Sequence, residues 1–253
     1  MVDIHCHIIS GVDDGAKDNT MSIDMLKKAK ESGTSKIVLT PHYYRGRYDV
    51  ELDVIKEEFI KLKMLAKTNN IDIEMYLGQE IYYTDRIVEY YEQGIIGTIN
   101  ESRYMLIELS MIEFNLDEVI SNLYEMRIKG IVPIIAHPER YKPFMKKPHL
   151  INKLIEEGCL FQLNIKAITG EFGKEVKKLA NIFLKNNIYS FVGSDAHRST
   201  GSRDTNMNDA LAEIPSKIRR RLRFNGNLML ENEVIEIEGS KIKEKKGIFS
   251  FLS

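Results

Sequence analysis

Residues 2–15 read VDIHCHIISGVDDG, and how this stretch folds decides how the rest of the chain is read. A short β-rich run ends in two histidines one residue apart, and a turn-forming Asp-Asp-Gly follows. On an extended strand, side chains at i and i+2 point to the same side. His5 and His7 therefore face one centre and Cys6 faces the other way. Two imidazoles on one face make a clamp for a metal ion, provided both are neutral. Asp13-Asp14-Gly15 has the composition of an ordinary turn, and such a turn can also aim Asp14 inward. A lone His-x-His is a weak motif. The chain holds only six histidines in 253 residues, so the placing of the other four is the test.

Working outward, β-rich runs are expected at 2–5, 36–40, 71–77, 104–109, 132–136, 160–164 and 189–192, with helical periodicity at 19–32, 50–67, 116–129, 150–157 and 174–186. Gly130 and Gly158 stand where helix C-caps belong. Strand–helix alternation argues for βαβ units and a parallel sheet. About seven such units suggest a distorted (β/α)7 TIM-like barrel more than an open sheet. On this map His42 follows the second strand in TPHYYRG, and Glu80 follows the third in LGQEIYY. Glu108 ends the fourth, His137 the fifth, and Asp195 and His197 the last. Only His149 lies away from a strand end, beside the helical run at 150–157. In a parallel barrel all C-terminal strand ends meet on one face, where such enzymes keep their active sites. Asp195 and His197 repeat the i, i+2 geometry, and Glu80 and Glu108 are suited to bridging two ions. A His/Asp/Glu set without thiolate suits zinc, manganese or iron, and several carboxylates lean toward manganese or iron.

Bulk composition narrows the class. The chain is 43% hydrophobic and 29% charged with a formal net charge of −1. No global field recruits nucleic acid. Two cysteines, Cys6 and Cys159, make no disulfide framework and suit a reducing cytoplasm. Neither a secretory signal nor an apolar run of the roughly 20 residues needed to span a bilayer is seen, so direct membrane insertion is not expected. Val12 and Ile165 stand six residues after the cysteines, so the Cys-x5-Arg cradle of cysteine-dependent phosphatases is missing. GVDDGAK lacks the spacing of a phosphate loop, and there is no G-x-G-x-x-G. No linker divides the chain. One domain is expected over residues 1–237, followed at 238–253 by a basic, apolar-ended tail.

In order, HxH, DDG, TPH, GQEIYY, LIE, AHPERY and SDAH resemble the polymerase-and-histidinol-phosphatase (PHP) superfamily. More narrowly, they resemble its manganese-dependent protein-tyrosine phosphatases of Gram-positive capsule and exopolysaccharide operons, over about residues 1–235. The resemblance implies three metal ions, manganese foremost with iron or zinc as alternatives. His5, His7, Glu80 and Asp195 would hold one ion. Glu80, Glu108 and His137 would hold a second, and Asp14, His42 and His197 the third. It further implies that Arg140 contacts substrate phosphate, together with a second arginine after the last histidine, either Arg203 or Arg198, with Arg203 favoured. Guanidinium forks match phosphate oxygens. His42 is a candidate proton donor to the leaving phenolate. Tyr43 and Arg45, within HYYRGRY, are candidates for a rim that accepts a tyrosine ring. The implied substrate is phosphotyrosine on the cytoplasmic tail of a bacterial tyrosine kinase controlling polysaccharide export. Two rival readings stand beside this one: a histidinol-phosphate phosphatase of the same superfamily, and a metal-binding regulatory module without turnover.

Overall fold

The structure, a computed structural model, describes residues 1–244. Its strands are β1 (Val2–Cys6), β2 (Lys36–Leu39), β3 (His42–Tyr43), β4 (Glu74–Leu77), β5 (Glu80–Tyr82), β6 (Tyr104–Glu108), β7 (Val132–Ala136), β8 (Leu160–Asn164) and β9 (Phe191–Gly193). All pair in parallel, in the ladders β1-β2-β4 and β3-β5-β6-β7-β8-β9. β1 and β8 are buried along their whole length, as expected of a parallel sheet covered on both faces.

Hydrogen bonds carry the sheet across the gaps between ladders. Gly78 N–H donates to Leu39 O at 2.9 Å, and Glu80 N–H to Pro41 O at 3.0 Å. Pro41 has no N–H to offer, which interrupts the ladder between β2 and β3. Beyond β9, Asp195 N–H donates to His5 O at 2.8 Å and His7 N–H to Ala196 O at 2.9 Å. The result is a curled parallel sheet of half-barrel form.

Helices α1 (Asn19–Glu31), α2 (Leu52–Thr68), α3 (Ile87–Glu92), α4 (Leu116–Ile128), α5 (Lys142–Lys146), α6 (Ile151–Glu156), α7 (Lys166–Thr169), α8 (Lys174–Lys185), α9 (Asn208–Ala212) and α10 (Ser216–Leu230) cover it. Asp18 caps α1 by accepting from Met21 N–H at 2.9 Å. Gly130 and Gly158 follow α4 and α6 with φ of 82° and 80°, the left-handed values a C-cap glycine supplies without strain.

Most expected elements match the observed ones within a residue or two. The run expected at 71–77 is the exception, because β4 begins only at Glu74. Lys36, the start of β2, pairs with Glu74, so 71–73 have no strand to pair with; Ile71 and Ile73 are nonetheless buried against α2. Helix α10 is not among the expected helices, and its Asn225 and Gly226 depress helix propensity. Gly226 is there for packing: a Cβ would meet Val2 Cβ at 2.8 Å. Of the tail expected at 238–253, residues up to 244 lie against the domain. Ser240 N–H donates to Asn186 O at 2.9 Å, and Asn152 and Ile242 exchange two hydrogen bonds of 2.9 Å. The rest of that tail lies outside the described residues.

Candidate metal centre

At or just beyond the C-terminal ends of β1, β2, β4, β6, β7 and β9 stand His5, His7, His42, Glu80, Glu108, His137, Asp195 and His197, with His42 and Glu80 opening β3 and β5, and the turn after β1 adds Asp14. Glu80 sits in the middle. Its Oε2 lies 3.1 Å from His5 Nε2, 3.3 Å from His7 Nε2 and 3.1 Å from His42 Nδ1, while its Oε1 lies 3.0 Å from His137 Nε2. Glu108 Oε1 is 3.7 Å from His137 Nε2 and its Oε2 3.9 Å from His42 Nδ1. Asp14 Oδ1 lies 3.3 Å from His197 Nε2 and 3.6 Å from His42 Nε2. Asp195 Oδ1 lies 3.8 Å from His5 Nε2 and 3.4 Å from His197 Nδ1. Three groupings have ligand atoms mutually within 4.8 Å: His7/Asp14/His42/His197, His5/His7/Glu80 and His42/Glu80/Glu108. They overlap the expected partition but put His7 beside the Asp14 group and His42 beside Glu108.

The hydrogen bonds of the far ring nitrogens decide what the near ones offer. His5 Nδ1 lies 3.0 Å from Gln162 Oε1. That oxygen also accepts from His137 N–H at 3.1 Å, and Gln162 Nε2 donates to Leu163 O at 2.7 Å, so the amide orientation is set by backbone. His7 Nδ1 lies 2.7 Å from Asp13 Oδ2, and His197 Nδ1 lies 3.0 Å from Asp195 O. Each partner is an acceptor, so each Nδ1 carries a proton and each Nε2 points inward, to hold either a second proton or a metal ion. The Nε2 atoms of His5 and His7 then stand 3.2 Å apart, facing each other and a carboxylate. Only a proton or a cation can hold them there. Asp14 Oδ1 and His137 Nδ1 are buried without a hydrogen-bond partner. The residues present therefore fit divalent metal ions, and no thiolate is among them.

The backbone is bent to reach this arrangement. His137 and Asp195 have φ of 30° and 49°, left-handed values that cost a side-chain-bearing residue on the order of 1–3 kcal/mol each. Such strain persists where surrounding structure fixes it, here through the bonds to Gln162 and His5 given above.

Protonation follows from the crowding. Burial opposes charge on His7, but the Asp13 and Glu80 carboxylates outweigh it and raise its pKa to about 10. Burial lowers His42 and His137 to about 4 each, partly offset by Glu80. Burial would raise Glu80, yet His5, His42 and His137 hold it well below the usual carboxylate range. Glu108 moves the opposite way, pushed up by burial and by the charges of Glu80 and Asp195.

Two arginines stand over the centre. Arg140 Nη1 donates to Asp195 Oδ2 at 2.7 Å, and Arg203 Nη2 to Asp195 Oδ1 at 2.9 Å. Both line a cleft of about 360 Å³ with all the metal-ligand candidates but His5 and His7. Arg198 turns elsewhere: its Nη1 donates to Asp14 O and to His197 O, each at 2.6 Å. The aromatic rim differs from expectation. Tyr43 is 4% exposed and packs edge-on against Tyr90, because β3 alternates and sends His42 to the cleft and Tyr43 to the core. Arg45 lies over the Tyr90 ring at 5.3 Å. The cleft is lined instead by Tyr44, Arg47, Tyr48 and Tyr82. Tyr44 stacks on Tyr82 with centroids 4.1 Å apart, and Tyr48 on His42 at 5.5 Å.

Sequence reasoning missed the supporting residues Asp13, Gln162 and Asn164. Asn164 Nδ2 donates to Asp195 Oδ2 at 2.9 Å. Gln162 and Asn164 are polar at i and i+2 of an otherwise apolar buried strand, and that alternation was a readable signal of inward polar work.

Residues 1–234 match the family described as "Capsular polysaccharide synthesis, CpsB/CapC". A curated relative from Staphylococcus aureus, a putative tyrosine-protein phosphatase CapC, is 35% identical over 97% of this chain and 98% of its own length. Among solved structures, one described as YwqE from Bacillus subtilis and CpsB from Streptococcus pneumoniae, metal-dependent tyrosine phosphatases, superposes with a TM-score of 0.90 at 31% identity, covering 96% of this chain and 100% of that one. A histidinol phosphate phosphatase from Lactococcus lactis subsp. lactis, solved with zinc, L-histidinol and phosphate, shares the fold alone. Its TM-score is 0.52 at 14% identity, covering 89% of this chain and 93% of that one. With a family match over residues 1–234 and a relative 35% identical over nearly the full length of both chains, the chain belongs to the CpsB/CapC family.

Proposed function

We propose that this chain is a metal-dependent protein-tyrosine phosphatase, a phosphoric monoester hydrolase acting on a bacterial tyrosine kinase that controls capsular polysaccharide synthesis. The observation that carries the reading is the inward Nε2 atoms of His5, His7 and His197 around Glu80 and Asp14, at a cleft that two arginines line. His5, His7, Glu80 and Asp195, then Glu80, Glu108 and His137, then Asp14, His42 and His197 would hold three ions, manganese foremost. When bound, such ions activate water and neutralise charge on the phosphate.

The chain's own groups do the rest. Arg140 and Arg203 grip phosphate oxygens with planar guanidinium forks. Tyr44, stacked on Tyr82, and Tyr48 offer flat faces for the substrate ring. His42, uncharged at neutral pH because burial lowers its pKa to about 4, suits a ligand nitrogen better than a proton donor. Counted as interrupted single strands, β2 with β3 and β4 with β5 reduce the sheet to a distorted (β/α)7 barrel, which we take as the fold of one domain over residues 1–237. No helix among the described residues is long and apolar enough to cross a membrane, and a cytoplasmic setting agrees with two free, buried cysteines.

Assays on chelator-stripped protein, with manganese, iron or zinc restored, test the proposal. A phosphotyrosyl peptide and histidinol phosphate are compared side by side. Metal-dependent turnover with preference for the peptide is expected. Preference for histidinol phosphate would reverse the substrate, and the absence of turnover with every metal would leave a regulatory module.

A further inference from the structure

Helix α10 carries a charge pattern that catalysis leaves unused. Residues 217–224 read KIRRRLRF, five cations in eight positions without an acid, in a chain of formal net charge −1. The 3.6-residue period sorts them. Leu222, Asn225, Gly226 and Met229 turn inward and are buried. Lys217, Arg220, Arg223 and Phe224 fall on the opposite side and are exposed, Phe224 to 62%. Arg221, on the flank, pairs with Glu238 at 2.9 Å. Among the described residues no carboxylate lies within the 4.0 Å ion-pair distance of Lys217, Arg219, Arg220 or Arg223. Arg219, Arg220 and Arg223 line a hollow of about 270 Å³ with Met1 and Ser216.

The helix is fixed in place. Asn225 Nδ2 donates to Ser190 O and Arg221 Nη2 to Tyr189 O, both at 3.1 Å, and Gly226 lies flat on Val2. These anchors are at the N-terminal ends of β1 and β9. The basic face therefore lies at the end of the sheet opposite the metal centre.

We propose that this face of α10 docks the protein on an anionic lipid surface. Guanidiniums match phosphodiester headgroups, and polybasic helices bearing an exposed aromatic settle at the headgroup–acyl boundary. The occupant is a lipid surface and not a nucleic acid because the face is one helix with one outward phenyl ring, and the hollow beside it has no aromatic in its lining. It offers no groove with a row of stacking aromatics to track a strand. Docked this way, the cleft lined by the candidate metal ligands opens away from the bilayer, toward protein segments in solution.

Cosedimentation of the full chain, kept in chelator, with vesicles of phosphatidylcholine alone or mixed with phosphatidylglycerol is the test. Binding to the mixed vesicles only, weakened by salt, is expected. Each basic residue near such a surface is worth about a fivefold change in partition, so Arg220→Glu with Arg223→Glu lowers binding at least ~25-fold. Neither residue touches the catalytic cleft, so the metal-loaded double variant keeps wild-type turnover of an aryl phosphate in solution, which also verifies its fold. The proposal is overturned if wild-type protein stays in the supernatant with the mixed vesicles. It is equally overturned if the double variant sediments like wild type, or if a short DNA duplex displaces wild-type protein from the vesicles by an α10-dependent contact.

Discussion

His7 Nδ1 and Asp13 Oδ2 are 2.7 Å apart, and the same Asp13 oxygen accepts the His42 N–H at 2.9 Å. One carboxylate thus orients the ring of the β1 clamp and the backbone of the next ligand strand. Asp13 also accepts from Gly15 N–H at 2.8 Å, which shapes the turn that delivers Asp14. Partners of this kind typically contribute ten- to a hundredfold in metal affinity. Asp13→Asn is expected to weaken metal binding by roughly that factor with little loss of fold. Competition with a chelator measures it; an unchanged affinity would show that His7 needs no such partner.

The raised pKa of His7 makes a pH prediction. Its folded value is about 10 against 6.5 for the free side chain. A raised folded pKa lends stability that is complete below the unfolded value and is lost as pH climbs through the folded one. Metal-free protein therefore loses part of its stability between pH 6.5 and about 10, and His7→Gln should flatten that slope. A cation at Nε2 must replace the proton, so loading at neutral pH releases protons and apparent affinity climbs with pH. Titration of manganese into weakly buffered, stripped protein with a pH indicator reads this directly. Loading at pH 7 without proton release would contradict it.

Arg140 and Arg203 each hold an oxygen of Asp195 while facing the cleft. Hydrogen bonds to charged groups are worth about 1.5–3 kcal/mol, so removing either arginine should lower kcat/KM roughly ten- to a hundredfold. The loss should appear mainly as a higher KM and weaker inhibition by inorganic phosphate. Arg198→Ala should cost less than Arg203→Ala, because its guanidinium is committed to backbone carbonyls. The reverse order would move the phosphate contact to Arg198.

The sequence exposed much of this site because parallel strands impose a rule: residues at their C-terminal ends meet whatever their separation along the chain. His5, Glu80, His137 and Asp195 converge for that reason alone. What strand ends could not reveal is which side a short loop strand presents. β3 is two residues long, so whether Tyr43 or Tyr44 faced the cleft turned on a register that composition does not encode. Supporting residues were hidden for another reason. Asp13 looked like turn chemistry, and it is that too, through Gly15 N–H. α10 escaped because Gly226 reads as a helix breaker until Val2 is seen packed against it.

The loop carrying Arg203 depends on its neighbour. Asp204 receives Lys28 from α1 at 2.6 Å on Oδ2 and Lys166 from α7 at 3.0 Å on Oδ1. Its side chain is 9% exposed, and burial, which would raise its pKa, is outweighed by the two ammonium groups. Removing the shared partner leaves the nearly buried Lys166 with only the longer contact to Glu171 Oε1 at 3.7 Å; breaking a pair typically costs about 3–5 kcal/mol when it is fully buried, and less here. Asp204→Asn should therefore lower the melting temperature by several degrees. It should also release residues 198–206, so that KM for the phosphorylated substrate rises more than kcat falls. Lys166→Met removes charge and partner together and should be milder in stability than Asp204→Asn. Equal effects of the two variants, with KM unmoved in both, would mean that the clamp is scaffolding with no bearing on Arg203.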